Sequence, residues 1–373
     1  AIKLILPLGL SFYIFQLTGY IIDVYRGEIK AEENIIDFAL FASFFPGLVS
    51  GPIQRASKML PQYKKNSVFN YENIKTGALL FLWGMFKKMV IADQLAIMVS
   101  TAYGDVAACS GIQLFAAAAA YTIQIYCDFS AYSEMAIGSA KILGFDIPKN
   151  FDSPYWALSV KDFWRRWHIS LSTWFRDYLY FPLGGNRRGK VRTYLNIMVV
   201  FVVSGLWHGA SLTFVVWGAL HGLFQVVEKM ISPAGQKLRR LLRIKENSRF
   251  IIAARWLVTF TFINFTWIFF RADSVSDAFY VVKKIVSTPI SGSLSPFRIT
   301  ALGLSAWFLV VLISCIVILL AVDIIQKHHN LPKLINNTTV PRFTVYFLLI
   351  TAVIIFGYYG SGYNPQDFVY FKF

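Results

Sequence analysis

Charge is scarce in this chain. Only 15% of its 373 residues are Asp, Glu, Lys or Arg, while 56% are hydrophobic; soluble domains carry roughly 25% charged residues. That balance excludes an ordinary soluble enzyme and fits a protein that crosses a bilayer several times. Cysteine is almost missing: Cys109, Cys127 and Cys315 stand far apart and share no metal-ligand spacing, so neither a disulfide framework nor a metal site is expected. No signal-peptide pattern opens the chain, which starts at Ala1 in an apolar run. Acidic residues are few, 20 against 36 Lys plus Arg, leaving a net charge of +16. The basic excess forms no nucleic-acid-binding stripe. It is divided among Lys64 and Lys65, Lys87 and Lys88, Lys161 with Arg165 and Arg166, Arg187 to Arg192, and Lys237 to Lys245, read as short loops between apolar runs on the cytoplasmic face. The bilayer is therefore the expected partner, and nucleic acid is not. With no internal repeat and no long soluble insertion, residues 1–373 read as a single membrane domain, multi-pass in the cell membrane.

Aromatic residues are plentiful, with 34 Phe, 19 Tyr and 10 Trp, as lipid-facing helices and interfacial belts require. Apolar runs near the ~20 residues of a crossing cover Leu4 to Ile22, Thr76 to Met98, Ile112 to Ile142, Phe250 to Phe270, Ala301 to Ile325 and Phe343 to Tyr359. The run Ile35 to Val49 is shorter and ends in Pro and Gly, so it is expected to enter without crossing. In the Ile112 to Ile142 helix, Asp128, Ser130 and Glu134 interrupt the apolar pattern. Polar side chains at that depth face a bundle interior or an aqueous cavity, and Asp128 divides evenly between a functional role and a structural bond to another helix.

The feature that stands out is Trp207-His208-Gly209, an ionisable imidazole within an apolar stretch, where such a group is costly and marks a functional candidate. Thr193 to Leu206 is too short to cross: at about 1.5 Å per residue it reaches ~20 Å of a ~30 Å core. With basic clusters on both sides, the stretch is expected to enter and return, His208 lying near the bend and Leu212 to Val227 forming the second arm. Lys161 to Tyr180 mixes charges with Trp164, Trp167 and Trp174, the pattern of a helix lying at the interface with its aromatic side in the membrane. Helical spacing would place Trp164, His168 and Ser172 on one face. His221 is expected to be a packing or helix-to-helix hydrogen-bond residue, and His328 and His329 to lie in a solvated loop. A buried neutral imidazole suits general-base work on a hydroxyl, as in acyl transfer to an alcohol.

Several runs carry a more specific signal: Trp164-Arg-Arg-Trp-His-Ile-Ser-Leu-Ser172, Arg176-Asp-Tyr-Leu-Tyr-Phe-Pro-Leu-Gly-Gly-Asn186 and Gly205-Leu-Trp-His-Gly-Ala210. Supporting them are Leu6 to Phe12, Asp23 to Gly27, Phe45-Pro-Gly47 with Gly51 to Arg55, Asp128 to Ser133 and the tail Asp367 to Phe373. Together they resemble the membrane-bound O-acyltransferase family, within it the branch typified by alginate O-acetylase. The resemblance implies an all-α, polytopic membrane helical bundle with a central tunnel between cytoplasmic and extracytoplasmic funnels. It implies His208 as the catalytic histidine and His168 as its polar companion. Asp128, Ser130, Trp164, Arg165, Ser172, Arg176 and Trp207 are candidates to line the tunnel or bind substrate. It further implies helices before Leu6 that this chain lacks, and an acyl thioester donor such as acetyl-CoA with no bound cofactor. The expected acceptor is an exported or cell-surface polysaccharide, reached through an extracytoplasmic SGNH-hydrolase-like acetyltransferase. Arg165, Arg166 and Arg176 suit a phosphate-bearing donor, or equally plain positive-inside anchoring. D-alanyl transfer toward teichoic acid is the alternative within the family; a proton-coupled transporter or channel using His208, Asp128 and Glu134 is the alternative outside it, though neither repeated halves nor paired broken helices support one.

Overall fold

A computed structural model describes residues 9–65, 68–242, 245, 248–287 and 302–360. The tail Asp367 to Phe373, Leu6 to Leu8 of the first motif, Arg243 and the side chain of Arg239 lie outside the described residues. All regular structure among the described residues is helical, as expected of an all-α bundle. Among the described residues, five helices are long and apolar enough to cross a membrane: Gly189–His208, Leu212–Lys237, Arg249–Arg271, Ala306–Gln326 and Thr339–Phe356.

The chain opens with α1 (Leu10–Tyr25), α2 (Ile35–Ser43), the one-turn α3 (Phe45–Leu48) and α4 (Ala56–Tyr63). Asn34 caps α2 by accepting from the Ile36 amide, and Phe44 ends it after nine residues, about 14 Å and too short to cross. Helix α5 (Tyr71–Phe86), a π-helical turn (Lys87–Ala92) and α6 (Asp93–Gly104) follow without interruption. Against them packs the 32-residue α7 (Gly111–Ile142), which begins in a capping box between Ser110 and Gln113.

The π-turn corrects the reading of Lys87 and Lys88 as loop residues. Both lie inside the bundle: Lys87 is 1% exposed, pairing with Glu134 at 2.7 Å and donating to Ser130 at 2.7 Å. Lys88 pairs with Asp93 at 2.7 Å and Asp128 at 2.8 Å. Ammonium groups tolerate that position because α7 and the start of α6 supply carboxylates; π-turns of this kind interrupt helices where side chains must be re-aimed.

Next come α8 (Val160–Arg166), α9 (Ile169–Phe175) and a second π-turn (Arg176–Tyr180). The antiparallel pair α10 (Gly189–His208) and α11 (Leu212–Leu241) is the expected hairpin, with one correction. Its first arm starts at Gly189 rather than Thr193, and 20 residues rise about 30 Å, enough to cross. Lys190 and Arg192 remain exposed in its first turn, where long basic side chains reach outward while their stems cover apolar surface. The crossing of the two arms is close: a Cβ on Gly205 would sit 2.2 Å from the Phe214 carbonyl oxygen, and one on Gly218 2.2 Å from that of Phe201.

The remaining α-helices among the described residues are α12 (Arg249–Arg271), α13 (Val275–Ser287), α14 (Ala306–Gln326), α15 (Leu331–Asn336) and α16 (Thr339–Phe356). The main core lies between α7, α8, α11 and α12, where Phe129, Phe163, Trp167, Trp217 and Trp267 are buried together. Outward, α14 and α16 expose rows of Val, Ile and Phe, the surface a helix presents to lipid.

Candidate active site

His168 lies at a break, not on a helix face. After α8 ends, Trp167 is extended, and His168 adopts φ 43° and ψ 53° before α9 begins. A left-handed conformation costs a non-glycine residue about 1–3 kcal/mol and persists only where surroundings over-determine it. Here the segment around Asn150 does so. The Asn150 carbonyl accepts from the Ile169 amide at 3.0 Å, and the Arg166 carbonyl accepts from the Asp152 amide at 3.0 Å. The Asn150 side-chain oxygen accepts from the Ser170 amide at 3.1 Å and the Ser170 hydroxyl at 2.6 Å. His168 Nδ1 lies 3.4 Å from the same oxygen.

The break overturns the shared face expected for Trp164, His168 and Ser172. Trp164 instead donates to Nδ1 of His221 at 3.1 Å, Ser172 donates to the Trp167 carbonyl at 3.2 Å, and His168 turns to Phe12 and Phe129. The expected interfacial helix is also corrected: Trp167 packs against Phe163, Tyr155 and Trp267, burying its ring in protein rather than membrane.

His208 is the last residue of α10, at the bend. Gly209 follows with φ 154°, a backbone conformation that side-chain-bearing residues rarely adopt, and a Cβ there would meet the Phe214 ring at 2.8 Å. The imidazole, 4% exposed, is enclosed by Trp207, Trp217 and Phe270, with ring centroids 4.7, 5.2 and 5.1 Å away. Trp207 also lies 6.2 Å from His168. One indole thus touches both candidate histidines, and Phe12 closes the group at 5.6 Å from Trp207.

A cavity of about 1200 Å³ opens beside this group; Trp164, Arg165, Ser172 and Arg176 line it, as do Ile169, next to His168, and Ser204, one turn before His208. Lys161, Arg165, Arg176, Lys229 and Arg255 face it with the single carboxylate of Glu228. Trp207, His168 and His208 are not among its lining residues, and neither are Asp128 and Ser130. The latter two are held by Lys88 and Lys87, and the side chain α7 turns to His168 is Phe129, at 4.7 Å. No group of three or more His, Cys, Asp or Glu that could hold a metal occurs among the described residues.

A second cavity, about 640 Å³, gathers residues from three of the motif runs. Tyr178 donates to Asp23 at 2.6 Å, Arg55 pairs with Asp177 at 2.9 Å, and the Arg55 guanidinium lies 4.4 Å from the centre of the Tyr178 ring. Asp177 also pairs with its neighbour Arg176. The other histidines are accounted for: His221 is fully buried and bonded to two helices, while His328 and His329 are exposed. Asn150 escaped the sequence reading, since no periodicity or local motif marks it.

A model of the membrane-bound O-acyltransferase family matches residues 28–272. The chain belongs to this family. It is 43% identical over 271 residues to a protein of Pseudomonas syringae pv. tomato described as a probable alginate O-acetylase, covering 73% of this chain and 50% of that protein. It is 40% identical over 311 residues to the peptidoglycan O-acetyltransferase of Helicobacter pylori, covering 76% and 58%. The teichoic acid D-alanyltransferase of Streptococcus thermophilus is more distant, 28% identical over 239 residues, 59% of this chain and 56% of that protein. The chain spans about half the length of the curated O-acetylases it matches.

Proposed function

We propose that this chain carries the transfer centre of a membrane O-acetyltransferase that passes acetyl groups toward hydroxyls of an exported or cell-surface polysaccharide. The observation that carries the reading is the meeting of His168 and His208 at Trp207, beside a basic-lined cavity that reaches Ile169 and Ser204. The names of the relatives at 40–43% identity favour acetyl over alanyl.

The chemistry needs little beyond a base and a dry, shaped site. The hydroxyl oxygen attacks the thioester carbonyl, an imidazole takes the hydroxyl proton, the carbon–sulfur bond breaks, and the proton passes to the departing thiolate. His208 serves as base or acyl-handling group, and His168 supports it by orienting the hydroxyl or polarising the carbonyl. General-base catalysis of this type contributes about 10²–10⁴-fold. The arginines and lysines of the large cavity favour a phosphate-bearing thioester, acetyl-CoA being the simplest, through charge-assisted hydrogen bonds. The basic Arg187 to Arg192 end of the α10–α11 hairpin sets that side of the bundle toward the cytoplasm. In this reading the protein sits in the cytoplasmic membrane, the tunnel runs from the cavity past the histidines, and an SGNH-hydrolase-like acetyltransferase outside completes delivery.

The test is the O-acetyl content of envelope polysaccharide in cells carrying His208→Ala at wild-type levels of inserted protein. The expected result is loss of acetylation; retention would overturn the catalytic assignment. Mass spectrometry of the polymer separates acetyl from D-alanyl, and finding only alanyl would replace this reading with the family alternative.

A further inference from the structure

We infer that Asn150 is a positioning residue that fixes His168 as the tautomer with its proton on Nδ1 and its lone pair on Nε2. The inference rests on the proposed acetyl transfer and sharpens it: a histidine in that state accepts a hydrogen bond from the acceptor hydroxyl and orients it, and does not polarise the thioester carbonyl, which would need a donor.

The argument begins with an atom that can only donate. The Ser170 amide lies 3.1 Å from one terminal atom of the Asn150 side chain. A backbone N–H has no other role, so that atom is the amide oxygen and the flip is settled. The nitrogen at the other end donates to the Ser133 hydroxyl at 3.1 Å, and the Ser170 hydroxyl donates to the oxygen at 2.6 Å. His168 Nδ1 lies 3.4 Å from that same oxygen; a lone pair there would face the oxygen's own electron density, so the arrangement favours the proton on Nδ1. In a neutral imidazole the other nitrogen then holds the lone pair.

Two further observations support a role beyond packing. His168 occupies the left-handed conformation, and strain of that kind collects where a side chain must be aimed. Asn150 also secures the break twice over, since its backbone carbonyl holds the Ile169 amide independently of its side chain. Replacing the side chain therefore leaves part of the strap in place and isolates the effect on the imidazole.

The experiment labels the full-length protein with ¹⁵N-histidine in liposomes and reads imidazole tautomers by solid-state NMR, the His168 signals being assigned by their loss in His168→Gln. Wild type should show Nδ1 protonated and Nε2 bare. Asn150→Leu should lose that preference and lower polysaccharide O-acetylation by about 10²-fold while remaining folded. Asn150→Asp, which keeps the acceptor while the Ser133 hydroxyl reverses to donate, should retain both. Nε2 protonated in the wild type, or an unchanged tautomer in Asn150→Leu, overturns the inference. If Asn150→Leu does not fold, the wild-type tautomer and the Asp variant decide it: loss of the Nδ1–H form in folded Asn150→Asp overturns it. The stated tautomer in a wild-type protein that transfers no acetyl upholds the placement of the lone pair and overturns the proposed function instead.

Discussion

The indole N–H of Trp164 donates to Nδ1 of His221 across 3.1 Å, and this settles the standing of the third buried histidine. Since an indole only donates, His221 Nδ1 is an acceptor, its proton is on Nε2, and Nε2 donates to the Thr266 hydroxyl at 3.1 Å. Thr266 in turn donates to the Ile263 carbonyl at 2.8 Å. Both imidazole nitrogens are thereby committed to joining α8, α11 and α12. His221→Phe keeps the ring and removes both bonds, leaving the Trp164 N–H without its acceptor. Thermal unfolding in detergent should show a loss of about 1–3 kcal/mol, with activity per folded molecule preserved. A loss of activity as deep as that of His208→Ala would instead place His221 in the chemistry.

For the two histidines at Trp207 the expected order is reversed. His208→Ala should remove about 10²–10⁴-fold of the transfer rate with little change in melting, and His168→Ala should be the milder change if its part is to orient the hydroxyl. Rates per inserted molecule check this. Equal and complete losses would mean that both imidazoles handle the proton.

Arg165 and Arg176 line the large cavity and are exposed, Arg176 pairing with the neighbouring Asp177. If they attract a phosphate-bearing donor, Arg165→Glu with Arg176→Glu should raise KM for acetyl-CoA and make it less sensitive to salt, with kcat nearly unchanged. Kinetics at two ionic strengths in proteoliposomes distinguish this from plain anchoring, which would leave KM untouched and lower the amount inserted.

What the sequence made legible follows from where the controlling interactions lie. Helix α7 was readable almost to the residue because its apolar run is local. The bend at His208 was readable because Gly209 and the flanking basic clusters are local too. The break at His168 was not: between Trp164 and Ser172 there is neither Pro nor Gly, and the chain turns because Asn150, distant along the sequence, supplies the bonds. Lys87 and Lys88 resembled loop charges for the same reason, since two of their counter-ions, Asp128 and Glu134, lie on another helix. Breaking one such pair tests it. Lys87→Met leaves Glu134 beside an apolar neighbour and should cost about 3 kcal/mol, most of which Lys87→Met with Glu134→Leu should restore; a single variant as stable as wild type would show that the pair contributes nothing.

Gly205 links the hairpin to the histidine it presents. A Cβ there would fall 2.2 Å from the Phe214 carbonyl oxygen, a backbone atom that cannot turn aside, so Gly205→Ala must push α10 away from α11. His208 follows on the next turn of α10 and is enclosed by Trp217 and by Phe270 of α12; separation of the arms therefore loosens the site as well as the fold. The variant should lose about 1–3 kcal/mol of stability and, at temperatures where it remains folded, a larger share of activity than that loss explains. Gly104→Ala is the control, since a Cβ at Gly104 meets nothing within 4 Å. If Gly205→Ala melts lower yet transfers acetyl at the wild-type rate per folded molecule, the spacing of the arms serves the bundle alone and the placement of His208 is set by its aromatic enclosure.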